Sequence, residues 1–516
     1  MAGGGAAQAP TRGPEAFLHP IRKYDLLIQP DAGNPPCGRV LSIPQKASPP
    51  DVFPSKSTAS HRSKAIRKEN MSNRSSRIRL AGVAIAAAIS VAALAGCSSP
   101  ATSSGSASAS CEPSKGKVTL QYWNTVPGMD QVVAVWNKKH PDVQVQIKNI
   151  SNDQYGTLGN ALKAGKAPEL AQVGYDELPD LRTQDAFVDA SACKAAVAAK
   201  SKFVPWTWSQ TSFGGTGVFA YPQDTGPMAL YVRTDLFAKY GVQIPKTWDE
   251  YAAAAQKLHA ADPNLSITYF DPNNAEWFNG LLWQNSADMY SYSGGKWHVT
   301  VDNDKGKQVA DYWQKLIDEK LVRTDLASGS TPANAAFEQN QLATYIGAAW
   351  GYSGFRDNNP DLAGKWSIVQ MPTWGSDPAS GDWGGSSVAF MKGNKHLYES
   401  VEFNTWLNTD PDALALENKL GGLYPAALAG SKLPALSQGV PYYNNEKIFD
   451  VFAESSKNID TSFTWGPTQK TVNLALQDAM AKATAGSGTL SDALTAAQAA
   501  ALKSMKDLDI SAVAGN

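Results

Sequence analysis

Residues 214–258 read GGTGVFAYPQDTGPMALYVRTDLFAKYGVQIPKTWDEYAAAAQKL, and the order of signals inside them decides the fold. Val218–Tyr221 is a short apolar run of strand character, broken by Pro222 and then by Gly226-Pro227. A second run, Met228–Val232, follows the break. After a turn at Arg233–Asp235 the chain meets Pro245 and then Thr247 with Glu250 three residues on. That spacing is a capping box opening a helix over the Ala-rich segment. Strand, break, strand, capped helix is the grammar of an α/β chain.

The same grammar runs upstream. KVTLQYWN, 117–124, alternates apolar residues at Val118, Leu120 and Tyr122, a strand ending in Trp123-Asn124. PGMDQVVAVWNKKHP places Val132, Val133 and Trp136 on one helical face and stops at Pro141. VQVQIKNI alternates again, DQYGTLGNALKAGKAPE is helical as far as Gly165, and LAQVGYDE is a third strand leading to Tyr175 and Asp176. Strand–helix–strand–helix–strand predicts a largely parallel sheet whose carboxyl ends face a ligand. Trp123, Asn124 and Asp176 fall at such ends.

The composition narrows the function. The chain has 516 residues, enough for two or three domains, with 46 basic against 47 acidic residues. This balance argues against a nucleic-acid partner, which needs a basic face. Four cysteines and six histidines show no zinc-ligand spacing, so no metal and no cofactor is expected. Aromatic residues are abundant, 15 of them Trp.

The amino-terminal third carries an address. From Met71, MSNRSSRIRLAGVAIAAAISVAALAGC has a basic head (Arg74, Arg77, Arg79), a charge-free apolar run over Leu80–Leu94, and small residues before Cys97. This is a signal-peptide pattern over 71–96, too short to be an ordinary membrane span. Leu94-Ala-Gly-Cys97 resembles the lipobox of bacterial lipoproteins. The resemblance implies that Cys97 is lipidated, becomes the mature amino terminus and anchors the protein outside the cell membrane. Residues 1–70 are expected to be a non-native or disordered extension. Residues 97–116 form a Ser/Ala/Gly tether. Cys111 and Cys193, the other thiols of the exported part, are expected to pair in an oxidising exterior, with two free thiols as the alternative.

With these elements placed, the segment YP…GPMALYVRTDLF…YG…PKTWDEY resembles the extracellular solute-binding proteins of carbohydrate ABC importers, the maltose-binding-protein-like family 1. WNKKHPDVQV, KAPELAQVG, FEQNQLATYIGAAWGYSGF (337–355), MPTWGSDPASGDWGGSSVAFMKGNKHLYESVEFNTWL (371–407) and GTLSDALTAAQ also resemble that family in order and spacing, over Lys117–Leu508. Departures are Val232-Arg233-Thr234, Trp136, Glu169, Asn340 and Thr344. The resemblance implies an α/β, two-lobed, periplasmic-binding-protein-like (type II) fold. Lobe 1 is expected over 117–221 and 341–388, lobe 2 over 222–340 and 389–516, with hinge crossings near 221–227, 340–344 and 386–391.

It further implies a carbohydrate ligand in the cleft, ABC permease subunits as partners, a monomer and no catalysis. A sugar ring offers apolar C–H faces to aromatic rings and a rim of hydroxyls to polar side chains. The residues expected to meet it are Trp123, Asn124, Asp176, Glu276, Trp277, Trp350, Trp383, Gly385, Tyr424 and Trp465, with Tyr175, Trp283 and Gly384 beside them. Trp136, Trp248, Trp313 and Trp406 follow helical periodicity and read as core, whereas Trp206 and Trp208 fall in an expected loop. The tryptophan content leans towards an oligosaccharide. Three alternatives stand beside this. One is a glycoside-processing enzyme using Asp176 and Glu276 as a carboxylate pair. Another is a receptor for a glycerol phosphodiester held by Arg233 and Arg356, and the last is an adhesive lipoprotein. Ser293-Gly-Gly-Lys296 matches a Ser-x-x-Lys spacing but lacks the companion motifs of an acylating enzyme.

Overall fold

The strands that carry the architecture are β1 (Val118–Asn124), β2 (Val143–Asn149), β3 (Leu170–Gly174), β4 (Ala220–Pro222), β5 (Met228–Arg233), β6 (Thr344–Ala348), β7 (Trp366–Val369) and β8 (Ser386–Phe390). They are seen in a computed structural model that describes residues 111–150 and 154–515. The expected extension, the signal segment, Cys97 and the tether up to 110 lie outside the described residues.

The first sheet has the order β2-β1-β3-β8-β4. β1 is parallel to β2 and β3, while β8 runs antiparallel between β3 and β4. Helices Met129–Lys139 and Gln154–Lys163 make the crossovers that parallel strands require. The second sheet centres on β5, flanked antiparallel by β6 and β7. The capping box at Thr247 and Glu250 is formed and opens helix Trp248–Ala261.

Period-two alternation divides the core. Along β5, Met228, Leu230 and Val232 join one cluster and Ala229 and Tyr231 the other. β3 and β8 split in the same way, so both clusters run through the two lobes on opposite faces of the sheets. Cys111 and Cys193 are disulfide-bonded, and the Ser114 backbone N–H donates to Glu399 at 2.6 Å, fixing the start of the chain body to lobe 1.

The expected division of the lobes needs correction. β6 and β7, assigned to lobe 1, pair with β5 in lobe 2. Helices Leu397–Thr409 and Pro411–Gly421, assigned to lobe 2, pack on lobe 1: Phe403 meets Trp136 at 5.4 Å and Tyr122 at 6.0 Å, and Asn404 donates to the Val388 carbonyl. The chain therefore crosses at 223–227, as read from the sequence, then between β7 and β8, and again beyond Leu428. Residues 340–344 do not cross, because Gln341 and Ala343 pair with Ser266 inside lobe 2. Local periodicity locates a short strand but cannot name its partner, which long-range register decides. Trp206 and Trp208 lie buried in helix Pro205–Ser212 rather than in a loop. Ser293 and Lys296 face each other across a two-glycine hairpin, with Gly294 and Gly295 at φ 59° and 77°, which accounts for their spacing as a turn.

The first crossing is held very closely. Gly226 N–H donates to the Asp382 carboxyl (2.9 Å) and the Gly226 carbonyl accepts from Trp383 N–H (2.8 Å). A Cβ on Gly226 would stand 2.0 Å from the Trp383 carbonyl oxygen. Gly226→Ala should therefore destabilise the protein by roughly 2–4 kcal/mol, since neither backbone can retreat. Urea unfolding would measure it, and an unchanged midpoint would contradict this packing.

Candidate ligand-binding site

A cavity of about 300 Å³ opens where the carboxyl ends of β1 and β3 meet the first crossing, the start of β8 and lobe 2. Thr125, Val126 and Pro127 follow β1; Gly174 ends β3 and Asp176 follows it; Asp224 lies in the crossing; Gly384, Gly385 and Ser386 lead into β8. Lobe 2 contributes Glu276, from the first turn of helix Ala275–Gln284, and Trp350, just beyond β6. Gln154, Tyr155, Gln172, Gly421 and Leu423 complete the wall, and among the described residues lining it none is cationic.

The floor is a hydrogen-bonded polar layer. Gln172 accepts from Thr125 Oγ1 (2.7 Å) and donates to Gln223 (3.0 Å), whose own amide donates to Glu417 (2.9 Å). Asp224 Oδ1 accepts from the Ser386 backbone (2.8 Å) and hydroxyl (2.5 Å). Gly385 stands at φ 85°, and a Cβ there would come within 2.8 Å of the Tyr175 ring and 3.0 Å of the Asp224 carbonyl oxygen. Only glycine lets this backbone close the floor. Trp350 donates its ring N–H to the Trp383 carbonyl (2.8 Å) and packs edge-on against the Trp383 ring, so its orientation is set before any ligand arrives.

Asp176 and Glu276 approach the cavity from opposite lobes. Asn473 donates to Asp176 at 3.4 Å and is held by Asn279 and Gln469, joining helix Gln469–Thr484 of lobe 2 to lobe 1. With no cation among the lining residues, burial raises the pKa of Asp176, and the Asp176 charge followed by burial raises that of Glu276. The two carboxyls therefore resist losing both protons together. Burial pushes Asp224 and Asp180 up to about 6 each, and holds Asp382 and Glu417, behind the floor, well above the usual carboxylate range.

The structure brings Asp176, Glu276, Trp350 and Gly385 together at this cavity, with Trp383 propping Trp350 from behind. Trp123 instead lies beneath the Lys148 ammonium (4.0 Å), and Asn124 is buried next to Thr125, which lines the cavity in its place. Trp277 is in the core of lobe 2, its N–H on the Ile346 carbonyl. Trp283 is buried and stacked on Phe463 at 4.2 Å. Tyr424 stacks on Phe449, while its neighbour Leu423 reaches the cavity. Trp465 lines a separate groove of about 960 Å³ with Phe213 and Tyr292. Of the 15 tryptophans, Trp350 alone lines the cavity, so the tryptophan content reflects core packing and says nothing of ligand length. Thr125, Gln154, Tyr155, Gln172, Asp224 and Ser386 escaped the sequence reading. Only Asp224, inside the legible Pro222–Pro227 break, carried a usable signal.

The pattern of the bacterial extracellular solute-binding proteins matches residues 122–413, more than half of the chain. The chain belongs to that family. An arabinooligosaccharide-binding protein of Bacillus subtilis (strain 168) is 26% identical over 315 residues, covering 58% of this chain and 71% of its own. Among solved structures, the galacto-N-biose/lacto-N-biose I-binding protein of the ABC transporter from Bifidobacterium longum, in complex with lacto-N-biose, matches with TM-score 0.69 and 30% identity, over 78% of this chain and 100% of its own. An ABC-transporter-associated binding protein of B. animalis subsp. lactis Bl-04, in complex with β-1,6-galactobiose, matches with TM-score 0.68 and 25% identity over 77% and 99%. These solute-binding proteins are two-lobed, and this family member shares their α/β type II fold.

A carboxyl that binds its proton more tightly when folded lends stability below its unfolded value, near pH 4, and loses it as pH rises through its folded value. For Asp224 and Asp180 that loss runs up to about 6, where it is complete, and for Glu276 it continues higher still. The ligand-free protein should consequently gain less from these groups at pH 8 than at pH 5, and Glu276→Gln should narrow the difference in Tm between the two. An identical pH dependence in the variant, measured by calorimetry, would refute the carboxylate strain.

Proposed function

We propose that this protein is a lipid-anchored receptor on the outer face of the cell membrane that captures a neutral sugar or short oligosaccharide between its lobes and delivers it to the permease of an ABC importer. The observation that carries the reading is the convergence of Asp176, Asp224, Glu276 and Gln172 beside the Trp350 ring in a cavity with no lining cation. Carboxylates and amides accept from sugar hydroxyls, and an indole face covers the C–H face of a ring. Because Asp176 and Glu276 come from different lobes, a ligand that satisfies both favours the closed arrangement. Relatives named for arabino-oligosaccharides, lacto-N-biose and β-1,6-galactobiose support a carbohydrate ligand.

The lipid on Cys97 would hold a monomeric receptor beside its permease through the Ser-rich tether. The phosphodiester alternative loses support because neither arginine lines the cavity. Arg233 is 1% exposed and bound to Asp235, Asn340 and the Phe337 carbonyl, and Arg356 pairs with Asp357. The Asp176–Glu276 pair resembles a glycosidase pair in outline, so the binding test includes a check for turnover.

A thermal-shift and calorimetric panel of arabinose, arabino-oligosaccharides, lacto-N-biose, β-1,6-galactobiose and glycerophosphodiesters tests the reading. At least one sugar should raise Tm, with no product released on long incubation. Trp350→Ala and Asp176→Asn should each weaken that sugar by about tenfold or more while the protein stays folded. A shift by the phosphodiesters alone, or hydrolysis of a glycoside, would overturn the proposal.

A further inference from the structure

We infer that the cavity continues past Tyr155 into a second, lysine-bearing pocket that receives a further ring of an oligosaccharide. The inference rests on the receptor reading above and extends it to ligand length.

Tyr155 is a wall of two cavities. One face of the arrangement is the 300 Å³ cavity; beyond the ring lies a pocket of about 170 Å³ along the seam between the lobes. The ring cannot swing aside freely, because its hydroxyl accepts from the Gly174 backbone N–H at 3.1 Å. At about 300 Å³ the first cavity sits at the lower end of the usual range for ligand sites, so a ligand of several rings must leave it somewhere.

The helix Gln154–Lys163 supplies the far wall in a regular way. Gly156, Gly159, Asn160 and Lys163 recur at i, i+3, i+4 and i+7, so a single stripe of that helix lines the second pocket. Glycine inside a helix costs about 1 kcal/mol relative to alanine. A Cβ on Gly159 would touch nothing within 4 Å, so no packing within the protein demands the missing side chain. The two glycines leave this stretch of the pocket wall without side chains.

The polar groups around that stretch differ from those of the first cavity. The first is walled by acceptors. The second has the Glu177 and Asp180 carboxyls in its wall as well, and adds donors beside them: the Asn160 amide and the Lys163 ammonium, which hold no hydrogen bond or ion pair with the described residues, and Lys470. Gln184 donates an amide N–H to the Asp180 carbonyl, and among the described residues its side-chain oxygen accepts no hydrogen bond. Hydroxyls need both kinds of partner, and the two pockets together supply them.

Lys470 also ties ligand length to closure. It belongs to lobe 2, its backbone N–H donates to Asp180 of lobe 1 at 3.0 Å, and its ammonium stands 5.8 Å from the Tyr155 ring. A ring bound here is therefore touched by both lobes, and longer sugars hold the cleft shut more firmly than short ones.

Isothermal titration of two length series, arabinose to arabinotetraose and galactose to β-1,6-galactotriose, tests the inference. Each is measured on the wild-type protein, on Asn160→Ala/Lys163→Met and on Gly159→Met. Asn160→Ala and Gly159→Met favour the helix and Lys163→Met is neutral to it, so all should leave it folded. In a series that binds, affinity should rise about tenfold at the member whose added ring passes Tyr155. Both variants should abolish that rise and change the affinity for the shorter member less than twofold. A rise that survives in both variants, or that is lost instead in Tyr292→Ala of the separate 960 Å³ groove, overturns the inference, as does the absence of any rise with length. No binding by any member of either series would instead refute the receptor reading on which the inference stands.

Discussion

The structure depends on the closeness with which the first crossing lies against the segment entering β8. On either side of the paired Pro227 and Asp382, Trp383 N–H donates to the Gly226 carbonyl and Met228 N–H to the Gly381 carbonyl, at a separation that admits no side chain on Gly226. This contact places the Trp383 carbonyl where the Trp350 indole can donate to it, and sets Asp224 against Ser386. Cavity floor, aromatic wall and lobe connection are thus consequences of one backbone approach. Two buried carboxyls, Asp382 and Glu417, brace the crossing by accepting from Gly226 N–H and the Gln223 amide. Burial raises the pKa of both well above the usual carboxylate range, which favours the uncharged form at the hinge.

Acceptor capacity is instead concentrated at the cavity wall, where it faces the ligand. Asp176, Asp224 and Glu276 have acceptor capacity directed at a space with no competing cation, which suits hydroxyls and repels anions. The strain between Asp176 and Glu276 makes the empty cleft less favourable as pH rises, and a ligand that donates to both relieves it. Binding and closure are on this account a single event, because the two acids arrive on different lobes.

Much of the fold was legible because α/β chains announce themselves by period. The capping box at Thr247, the alternation of β1 and β2 and the Pro222–Pro227 break each reflect a local requirement that a sequence cannot hide. The partners of β6 and β7 were not legible, since antiparallel pairing with β5 is chosen by contacts far away in the chain. At the site, Asp176 and Glu276 could be read as groups at a strand end and a helix start, and Gly385 and Trp350 as glycine-bearing loops. Trp277, Trp465 and Tyr424 misled because a large aromatic ring serves a core as readily as it serves a sugar. Tyr155 and Gln172 carried no signal, for their role depends on which helix face and which strand face the two sheets happen to enclose.

The measurement that bears most directly on this account is a crystal structure of the protein with the panel sugar that binds it best. The account predicts a ring lying on Trp350, its hydroxyls within hydrogen-bond distance of Asp176, Glu276 and Asp224, with both lobes in contact. A sugar bound only in the groove of Trp465 and Tyr292, or touching residues of one lobe alone, would contradict it.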